Sequence, residues 1–211
     1  MRALSVILFL CGLLQTANAL AGGLVVAVQT VNGRPLAGAV VTLQPLTGNS
    51  HSSAPVNSVM DQINRTFVPD LLVIPVGSTV AFPNSDSVSH QIYSFSPAHR
   101  FQLPLYRGKP YPPVIFDQPG IVTLGCNIHD SMLAYVLVTD APYFGRADAS
   151  GSWSVDLPHG TYRMTVWQPR MRESSQQDVT VGETDRTEVT VRLRKALEPA
   201  PLEGRHSWDA Y

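Results

Sequence analysis

The chain has 211 residues, and its 15 basic and 16 acidic side chains leave a formal net charge of −1. No block of like charge indicates binding to nucleic acid or to a membrane surface. Charged residues make up only 15%, whereas glycine (15) and proline (17) are plentiful, which favours a turn-rich β protein over a helical one. The length allows one or two domains with a sizeable core.

The N-terminus has the pattern of a secretory signal peptide. Arg2 precedes ALSVILFLCGLL, an apolar run of about a dozen residues that is too short to span a membrane. Small residues then offer cleavage after Ala19 or Ala21. We therefore expect residues 1–19 to be removed, Cys11 to be lost with them, and the mature chain to reach the periplasm without a membrane span.

Short strands are predicted from the start of the mature chain. Residues 24–46 predict two strands with a tight turn at Asn32-Gly33, because valine, leucine and threonine dominate on both sides of it. Residues 71–82 predict two more strands around Gly77. The alternation in HQIYSFS predicts a further strand, in which every second side chain faces the same way.

The second half of the chain also has the pattern of a β protein. Residues 97–113 are rich in proline and aromatics and are expected to be irregular. Further strands are predicted over residues 114–126, 132–140, 148–167, 179–181 and 187–193. No helix is predicted, and short strands with turns at short intervals are typical of β-sandwiches.

Cys126 stands alone in an oxidising compartment once Cys11 is removed. Such a cysteine indicates a reactive thiol, an intermolecular bridge or a metal ligand. It belongs to the run GCNIHDSM, in which His129 and Met132 follow at intervals of three residues. Blue-copper electron-transfer sites use two histidines, one cysteine thiolate and a weak axial methionine. His90, at the end of FPNSDSVSH, offers the second histidine.

Both segments, FPNSDSVSH and FDQPGIVTLGCNIHDSM, resemble the cupredoxin family. The Cys-x2-His-x2-Met spacing is similar to that of amicyanin. More closely, the chain resembles the cupredoxin-like methylamine utilisation proteins, strongly so over residues 57–139. The resemblance implies an all-β cupredoxin Greek-key sandwich with one type 1 copper ion, held by His90, Cys126, His129 and Met132.

The ligand loop departs from the amicyanin pattern in two places. Amicyanin-like loops carry prolines around the second histidine, whereas this chain has Ile128 and Asp130. Polar residues near the ligands are candidates to hold the loop in place. They are Gln91, Asn84 and Asn127.

Other interpretations of the same residues stay open. A zinc site is a weaker interpretation, because structural zinc sites usually have several thiolates. A cysteine protease is weaker still, because nothing in the sequence indicates an oxyanion hole or a third orienting residue. Met60 could replace Met132 as the axial ligand, although an ordinary position in the hydrophobic core is the simpler explanation for Met60. His99 could approach the metal, although a surface position is simpler. Taken singly, each proposed ligand is an ordinary core or strand-end residue.

The outer parts of the chain resemble a different family. GRPLAGAVVTLQP and RADASGSWSVDLPHGTYRMTVW are similar to a carboxypeptidase regulatory-like, transthyretin-like β-sandwich. The resemblance implies a discontinuous domain over residues 22–56 and 141–195, with a cupredoxin domain inserted at 57–139 and a disordered tail at 196–211. The alternative is one extended cupredoxin with additional edge strands.

The cupredoxin resemblance implies an electron carrier and not an enzyme. Its partner would be a redox protein such as a cytochrome or a dehydrogenase, with the exposed edge of His129 as the electron port. The absence of His-x-His clusters argues against a multicopper oxidase. A copper carrier or sensor, or an interaction module whose copper site is vestigial, are the alternatives.

Overall fold

The computed structural model describes most of the chain: residues 21–48, 52–108, 110–183 and 186–199. Every regular element of these described residues is a β-strand, so the all-β prediction is confirmed. They contain no helix that could cross a membrane. The predicted signal peptide lies outside the described residues, as does the predicted tail beyond residue 199.

The strands fall into three groups along the chain. The first group is β1 Ala21–Gln29 and β2 Val40–Pro45. The middle group is β3 Asn57–Val59, β4 Asp61–Ile63, β5 Thr66–Val68, β6 Leu71–Pro75, β7 Ser78–Ala81, β8 His90–Ser96, β9 His99–Tyr106, β10 Val114–Phe116, β11 Gly120–Gly125 and β12 Leu133–Thr139. The last group is β13 Tyr143–Arg146, β14 Ser152–Pro158, β15 Gly160–Trp167, β16 Ser175–Val181 and β17 Thr187–Arg192.

The first and last groups form two sheets with a shared core. One sheet has the order β14-β1-β17 and the other the order β13-β2-β15-β16. Along β1, the alternate residues Leu24, Val26 and Val28 are fully buried in a cluster that also contains residues of β2, β15 and β16. We call these two sheets the outer sandwich. Its likeness to the carboxypeptidase regulatory-like family stays a prediction.

The middle group forms a second core. A five-stranded sheet, β6-β12-β11-β8-β9, and a three-stranded sheet, β10-β7-β3, both contribute to it, and β4 and β5 form a separate hairpin. We call this group the inner sandwich. In β8, Ile92 and Ser94 are buried and Phe95 is exposed, which confirms the predicted alternation.

Two predicted turns join strands that do not pair with each other. Gly33 and Gly77 both have left-handed backbone, with φ of 75° and 86°, which glycine adopts without strain. However, β1 and β2 lie in different sheets, and so do β6 and β7. The turn at Gly77 is therefore a corner between two layers of a sandwich. At Gly33 the chain first folds back on the end of β1, with an isolated antiparallel bridge between Gln29 and Pro35, and then crosses to the other sheet as β2.

The expectation that residues 97–113 are irregular is wrong for their first half. His99–Tyr106 forms β9, which pairs with β8 at the edge of the five-stranded sheet. Pro104 is compatible with this position, because an edge strand has one row of N–H groups that no neighbouring strand needs. The short strands β3, β4 and β5 were not predicted.

Candidate metal centre

Three potential ligand atoms converge in the inner sandwich. The Nδ1 atom of His90 lies 3.8 Å from the Sγ atom of Cys126, and the Nδ1 atom of His129 lies 4.0 Å from the same sulfur. The two Nδ1 atoms are 3.2 Å apart. The structure thus brings together three of the four predicted ligands as one group that could hold a metal ion.

Adjacent strands explain this convergence. Cys126 directly follows β11, and β11 lies beside β8, which begins at His90. The loop from β11 to β12 carries His129, and the backbone N–H of Met132 donates to the His129 carbonyl at 3.0 Å, which closes the loop as a turn. Two neighbouring strands and one tight turn therefore position the cluster.

The spacing of the donors fits a single ion in a flat three-ligand arrangement. Metal–nitrogen bonds of about 2.0 Å and metal–sulfur bonds of about 2.3 Å give nitrogen–sulfur separations of about 3.5 Å and nitrogen–nitrogen separations of about 3.3 Å at a tetrahedral angle. The observed nitrogen–sulfur separations of 3.8 and 4.0 Å are wider, whereas the nitrogen–nitrogen separation of 3.2 Å is close to the tetrahedral value. Two imidazoles and a thiolate in a trigonal set, with a weak axial group, are the donor set of blue-copper sites, so the residues present fit copper better than zinc.

The cluster is buried on all sides but one. His90 is fully buried and Cys126 is 3% exposed, whereas His129 is only half-buried. The thiol of Cys126 is free. Met132 belongs to the same buried cluster as Cys126, and so does Met60, the alternative axial candidate. The choice of Met132 as axial ligand stays a prediction.

Asp86 holds the opposite side of the His90 ring, a contact the sequence analysis missed. The Nε2 atom of His90 lies 3.0 Å from Oδ2 of Asp86. This hydrogen bond, with another from the backbone N–H of Arg65, lowers the pKa of Asp86 to about 2. An ionised carboxylate only accepts hydrogen bonds, so this contact favours the neutral form of His90 that has its proton on Nε2 and its lone pair on Nδ1, where it could bind a metal. The acidic residue four positions before His90 in FPNSDSVSH was the available signal.

Asn84 holds the segment that leads to His90, and its hydrogen bonds do not go to the ligand loop that it was predicted to hold. It is 4% exposed, and its amide nitrogen donates to the carbonyls of Val88 at 3.0 Å and Tyr106 at 2.9 Å. Its amide oxygen accepts from the backbone N–H of Asp86 at 3.0 Å. The other two predicted supports are less favourably placed, since Gln91 follows His90 on the alternate face of β8 and Asn127 is exposed.

A buried polar contact under this segment was also missed. The amide nitrogen of Gln62 donates to the Tyr106 hydroxyl at 2.5 Å and to the Pro83 carbonyl at 2.9 Å. The Tyr106 hydroxyl in turn donates to the Phe82 carbonyl at 2.6 Å. Burial raises the pKa of Tyr106 to about 12, so the hydroxyl stays a neutral donor. These bonds join the first hairpin strand to the segment that precedes the site.

The remaining candidates lie outside the cluster. The ring of His99 packs against the rings of Phe101 and Phe116, with centroids 5.3 and 5.0 Å away, and it is not part of the cluster of ligand atoms. Ile128 and Asp130 flank His129 in the loop, and both are exposed. An apolar and a charged side chain therefore lie beside the half-buried histidine.

No protein-family model matches the chain, and no curated protein matches it. Among solved structures, it is similar to a purple cupredoxin from Nitrosopumilus maritimus, with 25% identity over 39% of this chain and 99% of that chain and a TM-score of 0.35. It is also similar to a copper-containing nitrite reductase from Thermus scotoductus SA-01, with 26% identity over 46% of this chain and 25% of that chain and a TM-score of 0.38. A reduced Cu(I) form of an amicyanin mutant is 19% identical over 47% of this chain and 98% of that chain, with a TM-score of 0.36.

Proposed function

We propose that this chain is an exported, periplasmic copper protein with one type 1 ion, that it carries single electrons between redox proteins, and that it catalyses no reaction itself. The observation that carries the proposal is the cluster of His90 Nδ1, His129 Nδ1 and Cys126 Sγ, whose members lie 3.2 to 4.0 Å apart. Thiolate and thioether ligands favour Cu(I), whereas imidazole suits both oxidation states. A bound copper ion would therefore supply a one-electron couple.

The chain's own part is to hold the ligands still. His90 lies at the start of a strand and Cys126 at the end of its neighbour, so the sheet limits how far the two donors can move apart. Cys126 must lose its proton to act as a ligand, and both imidazoles must offer a lone pair. Burial of His90 and Cys126 excludes water from most of the site.

Electrons would enter and leave at His129. It is the half-buried member of the cluster, and the exposed Ile128 next to it offers an apolar contact to a partner. A redox protein that covers this loop, such as a cytochrome or a dehydrogenase, would bring its own cofactor nearest to the cluster. Asp130 adds a negative charge to the same surface, which would favour a partner with a basic face.

A visible spectrum tests the copper site. We expect the Cu(II)-loaded protein to show an intense thiolate-to-copper band that disappears in Cys126→Ser. His99→Gln is the matched control, because it removes an imidazole from the same sandwich outside the cluster, and it should keep the band. A wild-type protein without the band, or a Cys126→Ser variant that retains it, contradicts the proposal.

Cycling of the bound copper separates an electron carrier from a copper carrier or sensor. We expect the band to bleach with a one-electron reductant and to return fully on reoxidation, with copper retained. Copper that leaves the protein on reduction would overturn electron transfer and favour metal delivery.

Fractionation of cells that express the full chain tests export, since a protein found with the cytoplasmic fraction contradicts a periplasmic location.

A further inference from the structure

One carboxylate oxygen of Asp86 is shared between the metal cluster and a distant turn. Oδ2 accepts from Nε2–H of His90 at 3.0 Å and from the backbone N–H of Arg65 at 2.7 Å. The other oxygen, Oδ1, accepts from the backbone N–H of Ser87 at 2.8 Å. The Asp86 side chain is only 9% exposed, so water cannot readily replace these partners.

Arg65 lies in the turn of the β4–β5 hairpin. Asn64 and Arg65 form the two-residue turn, with φ of 51° and 59°. A two-stranded hairpin is marginally stable at best without further contacts. Here the contacts go to the segment that carries Asp86, because Asp61 accepts from the Ser85 hydroxyl at 2.7 Å and Gln62 donates from its backbone N–H to the Pro83 carbonyl at 3.2 Å.

We propose that Asp86 is a positioning residue that fixes the tautomer of His90 and thereby couples metal binding to the order of the β4–β5 turn. The metal-binding half of this inference rests on the proposed function. Because the carboxylate has no hydrogen to donate, it selects the tautomer with the proton on Nε2. In that tautomer the Nδ1 lone pair faces His129 Nδ1, 3.2 Å away, so a hydrogen bond between the two rings in the metal-free protein requires His129 to donate.

Loss of the carboxylate has two separate consequences. His90 is then free to place its proton on either nitrogen, and only one of these forms can bind the ion without a proton shift. Removal of a group that orients a metal-binding histidine typically costs 10 to 100-fold in metal affinity. The N–H of Arg65 also loses its acceptor, so the turn opens more often.

The first test uses the metal-free protein. Nitrogen-15 NMR of the histidine rings reads the tautomer, and hydrogen exchange reads the protection of the Arg65 amide. For wild type we expect His90 with its proton on Nε2 and a protected amide. In Asp86→Ala we expect mixed tautomers and Arg65 exchange that is at least about tenfold faster, which corresponds to one lost hydrogen bond. If that variant does not fold, the isosteric Asp86→Asn serves, and mixed tautomers are again expected.

Asp61→Asn is the matched control, since Asp61 holds the same segment but does not contact His90. General loosening would speed Arg65 exchange in both variants, but only the Asp86 variants should change the tautomer. A wild-type His90 with its proton on Nδ1, or a tautomer that is unchanged in Asp86→Ala and Asp86→Asn, overturns the inference.

The second test measures Cu(I) affinity by competition with a chromogenic chelator. We expect a 10 to 100-fold loss in Asp86→Ala or Asp86→Asn, and less than threefold in Asp61→Asn. Equal losses in the Asp86 and Asp61 variants overturn the coupling to metal binding. A protein that binds no copper at all, yet has the expected tautomer, contradicts the proposed function and leaves the role of Asp86 in place.

Discussion

The rings of Tyr135 and Trp167 meet edge to face, with centroids 5.7 Å apart and planes at 68°. Tyr135 lies on β12 of the inner sandwich, whereas Trp167 ends β15 of the outer sandwich. Trp167 belongs to a small apolar cluster that also contains Val40 of the outer sandwich and Leu71 of the inner one, and Tyr135 packs against it. This cluster therefore joins the two sandwiches next to the sheet that carries the metal ligands.

Truncation of Trp167 should weaken this junction. We expect Trp167→Ala to lower the free energy of unfolding by about 3 kcal/mol, because a buried aromatic side chain is lost and a cavity remains. Phe95→Ala is the control, since Phe95 is 74% exposed, and it should change stability by less than about 0.5 kcal/mol. Urea unfolding measures both. Equal effects of the two changes would show that the Trp167 contact contributes nothing to stability.

Gly145 should not tolerate a side chain. A Cβ atom placed there would overlap with Nε1 of Trp153, which packs directly against the glycine. We expect Gly145→Ala to cost about 1–3 kcal/mol, as overpacking does. Gly182→Ala is the matched control, because its Cβ atom would meet nothing within 4 Å. Thermal unfolding that is the same in both variants would contradict this packing.

The axial ligand can be identified by two equivalent substitutions. Met132 and Met60 both lie in the inner core, 2% and 0% exposed. Leucine has nearly the volume of methionine, so each Met→Leu change should cost less than about 1.5 kcal/mol. If Met132 is the axial ligand, Met132→Leu shifts the reduction potential of the copper-loaded protein, whereas Met60→Leu leaves it at the wild-type value. Voltammetry measures the reduction potential of each variant. A shifted potential in Met60→Leu, with a wild-type potential in Met132→Leu, would assign the axial role to Met60.

The turn that begins at Asp148 should weaken in acid. The Ser150 hydroxyl donates to Asp148 at 2.6 Å, which is the main cause of the lowered pKa of this carboxyl, and the Ser152 N–H adds to it. A carboxylate with a depressed folded-state pKa stabilises the fold above its ordinary pKa of 3.8, and this contribution is lost as the pH falls through the folded value.

We therefore expect wild type to exceed Asp148→Asn in unfolding free energy at pH 7, and the difference to shrink below about pH 4. Asp140→Asn is the control, because it removes the same charge from another exposed position and shows how much the change in net charge alone alters the unfolding free energy. Chemical denaturation at several pH values measures the three proteins. A difference that grows in acid has the wrong sign and would refute the role of Asp148.

Local patterns in the sequence predicted much of the secondary structure. Alternation in HQIYSFS predicted β8, and the apolar runs predicted β1, β6 and β12 near their observed positions. The same reasoning missed β9, because Pro104 and its aromatic neighbours look irregular until an edge position accommodates them. It also did not show that Gly33 and Gly77 turn the chain from one sheet to the other, since turn chemistry does not specify which strands pair.

The residue types and the spacing of the candidate ligands Cys126, His129 and Met132 were determined by the sequence alone, because one short loop carries all three. The sequence also offered His90 as a distant candidate, and the tertiary structure decided that it meets Cys126 and His129 and that Asp86 and Arg65 lie behind it. His90 lies 36 positions before Cys126, and Arg65 lies 21 positions before the carboxylate that holds His90. A sequence pattern records the period of side chains along one strand, whereas contacts of this range depend on how separate strands pair and pack.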